Sequence, residues 1–309
     1  MPVTVEESIK YRDFVSRIAR ENGCFDYQRD QIVWHYTDGP GLLGIPESSR
    51  LHATQVSALN DAKETRHASE LFIAAIRQLI DEHAAEPDVV AFLNALIGFS
   101  EEDVEAHARS KFFVVCFSGE EDDLTQWERY GKQNGYALGF YARGLNREPN
   151  STLYRVIYDA EKQELAAREL AEATVDFYLE GLTGDRLENP EQWMRDFLTA
   201  WDEWVYKLAP LAKAHKWRAE NEYRIVHELK LAEFPDVRFK AKSTMLARYL
   251  PLDTPSWMPR RAGVLPLAKI WIGPGSHQQA SKTSIGLLLD QMGYSGVTIE
   301  TSQIPLQHI

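Results

Sequence analysis

The stretch "WHYTDGPGLLGI", residues 34–45, follows the apolar pair Ile32-Val33, and the reading of the fold starts from it. Alternation over residues 31–37 predicts a strand on which His35 and Thr37 share one face and Tyr36 takes the other. The Gly-Pro-Gly break at 39–41 ends that strand, and Leu42–Ile45 then read as one helical turn cut by Pro46. A strand ending on three hydrogen-bonding side chains is either leaving the core or placing polar groups at the mouth of a site.

Outward from this point, strands dominate. "RLHATQV" (50–56) alternates, and "KFFVVCFS" (111–118) is apolar on both faces, as a central strand must be. "YALGFY" (136–141), "LYRVIYD" (153–159), "NEYRIVHEL" (221–229), "VRFKAK" (237–242), "LAKIWIGP" (267–274) and "GVTIETS" (296–302) complete the set. Helices are predicted over 5–20, from 59 onward, over about 87–108 and 277–292, and as a short piece at 124–131 stopped by Gly131. A helical insertion fills 160–215, with Trp193, Phe197, Trp201, Trp204 and Leu208 on one face. Strands outnumber βαβ units. The expected fold is therefore α+β, a mixed or antiparallel sheet with flanking helices and the insertion. Residues 1–309 read as a single domain, with 1–30 an N-terminal helical segment.

The bulk numbers bound the function. The 309 residues are 44% hydrophobic and 26% charged, as in an ordinary globular protein. The net charge of −12 speaks against general duplex binding, leaving only a local basic groove such as one around Arg260-Arg261. Two cysteines, Cys24 and Cys116, make no disulfide framework and point to a reduced, cytoplasmic chain. No run approaches the roughly 20 apolar residues of a membrane span, and the first residues lack a signal-peptide core.

Four groups of residues carry chemistry. His35, Tyr36 and Thr37 are the first. Asn60, Asp61 and Glu64 form the second; they suit helix capping, or a polar cluster at the positive end of a helix. Glu64 and His67 make a single Glu-x-x-His where a di-metal bundle needs two, so no metal site is expected. Gln126, Trp127 and Tyr130 stand at helical spacing near Ser118; the aromatics suit packing, but Gln126 does not. Glu220, Glu222 and Arg224 alternate onto one strand face, with Tyr223 and Ile225 on the other. They suit an exposed edge, or a site where a carboxylate must stay ionised beside a cation. Cys116 reads as a small buried residue. The chain has no G-x-S-x-G elbow, no phosphate-binding GxxxxGK[ST], no HExxH and no CxxC pair.

The order of these pieces is more specific than any one of them. "HYT", "GLLGI", "LHAT", "LND", "FVVCFS", "QW" with "YG", "ALGF", "VIYD", "EYR", "IWIGP" and "TSQIP" follow one another from about residue 31 to 306. The series resembles a bacterial family known as domain of unknown function 2971. His35-x-Thr37, Leu43-Gly44-Ile45, the strand at 50–56 and Glu220-x-Glu222 are also similar in order to ADP-ribosyltransferase-fold enzymes, DNA-modifying toxins among them. That resemblance implies an ADP-ribosyltransferase-like sheet and NAD as substrate. It implies Glu222 as the catalytic carboxylate, Arg224 keeping it ionised, and Glu220 positioning the acceptor. His35 and Thr37 would bond the ribose or the nicotinamide amide, and Trp127 or Tyr130 would stack on a ring. Tyr36, Asn60, Gln126 and Arg224 complete the cofactor-binding set. Ser118, Trp127 and Tyr130 compete for the central position. The implied protein is a toxin or phage-defence effector whose acceptor, protein or nucleic acid, is unspecified, with homo-oligomerisation left open. A metal-dependent nuclease using His35, Asp61, Glu64 and Glu222 is the alternative. A non-catalytic nucleotide-sensing module is the third reading.

Overall fold

Six consecutive antiparallel pairs, from Ile32↔Tyr141 to Thr37↔Tyr136, join β1 (Ile32–Thr37) to β4 (Tyr136–Tyr141). They set which side chains of β1 face which way. The computed structural model describes residues 5–28, 30–59, 63–103, 111–131, 135–145, 151–181, 209–229, 231–242, 245–253 and 264–305. These form two compact units. One comprises Tyr27–Thr54, Phe113–Arg155 and Ala219–Ile309 and holds the sheet; the other comprises Met1–Asp26, Gln55–Phe112 and Val156–Arg218 and is helical.

The other strands are β2 (Leu51–Gln55), β3 (Phe112–Ser118), β5 (Ser151–Arg155), β6 (Glu222–Glu228), β7 (Arg238–Ala241), β8 (Leu246–Leu252), β9 (Leu267–Ile272) and β10 (Thr298–Thr301). Their order is β10-β9-β4-β1-β3-β2-β8-β7, with β6 pairing β3 and β5 pairing β6. β9 and β10 are parallel, whereas β1–β3, β1–β4, β4–β9, β5–β6, β2–β8 and β7–β8 are antiparallel. The sheet is thus mixed and the class α+β, as the sequence pattern predicts. β3 is the branch point, with β1, β2 and β6 as neighbours, and nearly all its side chains are buried, as its apolar residues on both faces predict.

One face of this sheet buries Val33, Phe117, Leu138, Phe140, Tyr223, Ile225 and Ile270 in a common cluster. The other face of β1 buries Trp34 and Tyr36 with Trp127 and Ala137. The period-two rule then assigns the rest. His35 stands on the Val33 face, and Glu222 and Arg224 project from the face of β6 opposite Tyr223 and Ile225.

The helical unit packs α1 (Val5–Glu21), α3 (Lys63–Glu82), α4 (Pro87–Asp103) and a long helix, Ala160–Gly181, around Ile18, Ile76, Phe92, Leu93 and Ala171. Phe92 and Tyr178 stack there, with ring centroids 4.0 Å apart. His67 Nε2 donates to Gln163 Oε1 at 2.9 Å, so the Glu-x-x-His histidine serves a helix-to-helix bond. Gln163 Nε2 in turn donates to the Ile157 and Lys213 carbonyls. Ala160–Gly181 supplies the first helix of the expected insertion, whereas Trp193, Phe197, Trp201, Trp204 and Leu208 lie outside the described residues.

Several elements differ from expectation: the strand expected over 153–159 is β5, Ser151–Arg155, with Ile157 keeping only an isolated bridge to Ala212, and the helix expected over 124–131 is a short helix followed by a π-turn. The single turn after β1 is a ten-residue helix, α2 (Gly39–Ser48). Asp38 caps it by accepting from the Gly41 N–H, Pro40 occupies the first turn where no N–H is needed, and Pro46 is accommodated within it. β8, "LARYLPL", was not expected as a strand, because Arg248 and Pro251 interrupt its apolar pattern; Pro251 sits opposite His52 in the ladder.

Candidate functional site

The segment after β3 supplies the first part of the site. Asp123 caps a short helix, Leu124–Gln126, by accepting from the Gln126 N–H at 2.9 Å, and the chain continues as a π-turn over Trp127–Gly131. A π-turn inside a helix commonly marks a functional position. Trp127 anchors it: Nε1 donates to Asp122 Oδ1 at 2.9 Å, and the ring stands edge-on to Tyr36 at 4.7 Å. The Tyr36 hydroxyl donates to the Glu120 carbonyl at 2.8 Å and accepts from the Asp123 N–H at 3.1 Å. Burial, the main cause, raises its phenol well above the ordinary value, so it stays neutral. Gly131 and Gly273 both admit the indole; a Cβ on either would lie within 3.0 Å of Trp127 Cε3.

The second part comes from the entry to β6. Glu220, Glu222 and Arg224 are all buried, so the exposed-edge reading of this strand is corrected. Arg224 Nε and Nη2 donate to Glu222 Oε1 and Oε2, each at 2.8 Å. This is the bidentate fork that fits guanidinium to carboxylate. Glu220 pairs with the partly exposed Arg129 of the π-turn. Its carbonyl accepts from the Ser118 hydroxyl at 2.9 Å. Asn221, between the two glutamates, takes φ 38°, a left-handed conformation that Asn tolerates better than most residues. Its Nδ2 donates to Glu120 Oε1 at 3.0 Å, and its carbonyl accepts from the Gly119 N–H at 2.7 Å. Ser118, Arg129, Glu220 and the Tyr36–Trp127 pair thus form one linked set.

The third part stands where β1 and β3 meet. Their ladder is one pair long, Trp34↔Ser118. Next to it, His35 Nδ1 bonds the Cys116 carbonyl at 3.0 Å, in place of a strand donor. A carbonyl only accepts, so Nδ1 carries the proton and Nε2 presents a lone pair. Burial of the ring, opposed by that hydrogen bond and aided by Lys240, lowers the imidazole pKa from 6.5, which keeps it neutral near pH 7. Thr37 lies against Gly41, where a Cβ would come within 1.9 Å of Thr37 Oγ1.

The expected site residues are therefore divided. Tyr36, Trp127, Glu220, Glu222 and Arg224 belong to one side of the sheet, and His35 and Thr37 to the other. Trp127 is 2% exposed and walled in by Tyr36, Gly131 and Gly273, so its ring is a packing anchor and not a free stacking surface. Tyr130 is 38% exposed, and Gln126 is buried. Asn60 and Asp61 fall outside the described residues, as does the side chain of Glu64. Cys116 is half-buried rather than buried, whereas Cys24 is fully buried with its thiol pushed up to about 12 by burial. Among the described residues no three His, Cys, Asp or Glu side chains converge as metal ligands. Arg129 and Lys240 went unnoticed in the sequence, since neither stands in a motif; only the closed chain brings them to Glu220 and His35.

One family model covers part of this constellation. Residues 126–225 match a family described as Protein of unknown function (DUF2971). The match runs from Gln126 and Trp127 to Arg224 and Ile225, so it contains the π-turn, β4, β5 and the Glu220–Arg224 entry to β6. Over this segment the resemblance drawn from the sequence is borne out. No curated protein and no solved structure matches the chain. Among the described residues no helix is long and apolar enough to cross a membrane.

Proposed function

We propose that the protein is an NAD-consuming enzyme of the ADP-ribosyltransferase type, with its site where β1 parts from β3. One observation carries this reading: β1, β3 and β6 lie side by side in the sheet. The strands bearing His35, Ser118 and Glu222 are thereby neighbours, although Glu222 lies far from the others in sequence. Along the chain, His35-x-Thr37 and Glu220-x-Glu222 follow in the same order as in the resembled enzymes.

The chemistry follows from the groups present. Departure of nicotinamide takes the C–N electron pair with it and leaves a ribosyl carbon with oxocarbenium character. A carboxylate fixed beside that carbon stabilises the charge as it develops. Glu222 is fixed by two bonds to Arg224. Water then attacks the ribosyl carbon, giving ADP-ribose and a proton, or an acceptor nucleophile attacks in its place. In this reading Glu222 meets the ligand on its own face of the sheet, exposed Tyr130 is the ring that stacks, and His35, on the other face, does not touch the ligand. Depletion of NAD would suit a toxin or phage-defence effector.

The test is release of free nicotinamide from NAD by the pure protein. Wild type should release it, and Glu222→Gln should release it at least about 100-fold more slowly. Absence of both nicotinamide release and ADP-ribose transfer in wild type overturns the proposal.

A further inference from the structure

Where β5 pairs with β6, one cross-strand pair on the apolar face is polar. Ser151, the first residue of β5, stands directly opposite His227. By alternation the pair shares its face with Leu153, Ile225 and Tyr223, all buried in the common cluster. Ser151 Oγ and His227 Nδ1 lie 2.6 Å apart. On the far side of the ring, His227 Nε2 lies 3.1 Å from Glu233 Oε2, which the 3-10 segment Leu231–Asp236 supplies. Ser151 and His227 are 5% and 4% exposed, whereas the Glu233 side chain is 33% exposed. The three groups thus form a line from solvent into the sheet.

The protons along this line follow from the groups. An ionised carboxylate only accepts, so in the neutral ring Nε2 carries the proton and donates to Glu233. Nδ1 then holds a lone pair, and the Ser151 hydroxyl donates to it. A hydroxyl, an imidazole and a carboxylate bonded in this sequence are what turns a serine into a nucleophile. The set is recognised by geometry and roles, whichever ring nitrogen faces the hydroxyl. No G-x-S-x-G elbow surrounds Ser151, and 76 positions separate it from His227, so no sequence motif announces the set. Burial at the serine end keeps water from competing for the hydroxyl, and the apolar neighbours favour an uncharged partner over an ionic one.

We infer that Ser151 is a nucleophile that takes the acyl group of a small uncharged ester, with His227 as its general base and Glu233 positioning the imidazole. Oγ bonds to the ester carbonyl carbon as its proton passes to Nδ1. The bond from that carbon to the alcohol oxygen breaks, and Nδ1 gives the proton to the departing oxygen. Water then attacks the acyl carbon, returns one proton to Oγ by way of Nδ1, and releases the carboxylic acid. The set lies on the face of β6 opposite Glu222 and requires no NAD, so its fate is separate from that of the proposed activity. The probe is 4-nitrophenyl acetate, added to the intact protein at neutral pH, acid-quenched at early times and followed by peptide mass mapping. In wild type Ser151 should be acetylated at least about 10-fold faster than exposed Ser284. His227→Gln should slow that acetylation by about 100-fold or more, as loss of a general base does. Glu233→Gln should slow it without lowering the thermal midpoint, since the bond to His227 is partly exposed. Glu233→Asp, which keeps the carboxylate, should restore part of the rate. These two variants keep the test open if His227→Gln folds poorly. Acetylation of wild-type Ser151 no faster than that of Ser284 overturns the inference. So does an undiminished rate at Ser151 in His227→Gln or Glu233→Gln, because the hydrogen bonds are then structural only.

Discussion

Glu222 and Arg224, two residues apart on β6, meet through two parallel bonds of 2.8 Å with side chains 8% and 2% exposed. A strand places residues i and i+2 on one face, so the pair is dictated locally, and the burial is what the rest of the fold adds. A buried carboxylate and guanidinium each need the other. Removing one leaves the second charged and unpaired, at a cost of about 3–5 kcal/mol.

The first prediction separates chemistry from folding at this pair. Glu222→Gln should lose both nicotinamide release and several degrees of thermal stability. Glu222→Leu with Arg224→Met removes both charges and should recover most of the lost stability while staying inactive. Thermal unfolding beside the nicotinamide assay reads both. A double variant that regained activity along with its stability would give the pair a structural role only.

Glu220 should behave differently. Its partner Arg129 has a side chain 40% exposed, so water screens the interaction. Glu220→Gln should cost about 1 kcal/mol or less. It should also slow turnover less than Glu222→Gln does, because the Ser118 bond goes to the Glu220 carbonyl and survives the change. An inactive Glu220→Gln protein beside an active Glu222→Gln one would exchange the two roles.

How far the sequence could be read follows from the range of each interaction. Alternation on β1 and β6 is local, and by itself it sets Tyr36 on the face opposite His35 and Glu222 on the same face as Arg224. Whether a face is covered depends on distant strands. The burial of Glu220, Glu222 and Arg224 was therefore as compatible with the pattern as exposure. Nothing local in "VRFKAK" signals that Lys240 will reach Thr54, 186 positions away. The helix after His35-Tyr36-Thr37 ran longer than its glycines and prolines suggested, because the Asp38 cap and Pro40 in the first turn offset them. The Trp127 segment read as an ordinary short helix; a π-turn has no distinct periodicity over so few residues.

The packing of that π-turn gives the third prediction. A methyl at residue 131 would lie 2.7 Å from Trp127 Cε3, and the indole cannot retreat because Nε1 is bonded to Asp122 and the ring meets Tyr36. Gly131→Ala should destabilise by about 1–3 kcal/mol, the usual cost of overpacking. It should also shift the fluorescence of Trp127. Gly44→Ala, in α2 with open space around the added methyl, is the matched control and should be near neutral or stabilising. Equal stability of the two variants would mean that the Trp127 contacts are looser than the geometry states.

The last prediction concerns His35 and pH. Its folded-state pKa lies below the ordinary 6.5, chiefly through burial. Between that lowered value and 6.5 the unfolded chain binds a proton that the folded chain does not. Stability therefore rises with pH across this window. The contribution is fully present above 6.5 and is lost as the pH falls through 6.5 toward the folded value. His35→Asn can keep the donor to the Cys116 carbonyl, since its Nδ2 takes the place of Nδ1, but it does not titrate. Its stability between pH 7.5 and pH 5 should fall less steeply than that of wild type. His52, lowered in the same direction chiefly by its own burial, remains in both proteins; His35 is a smaller cause of its shift, so the difference between the two slopes reads His35 together with its effect on His52. Urea unfolding at a series of pH values measures it. Parallel slopes would mean that the imidazole takes up its proton in the folded chain as readily as in the unfolded one, and that the bond to Cys116 does not hold it neutral.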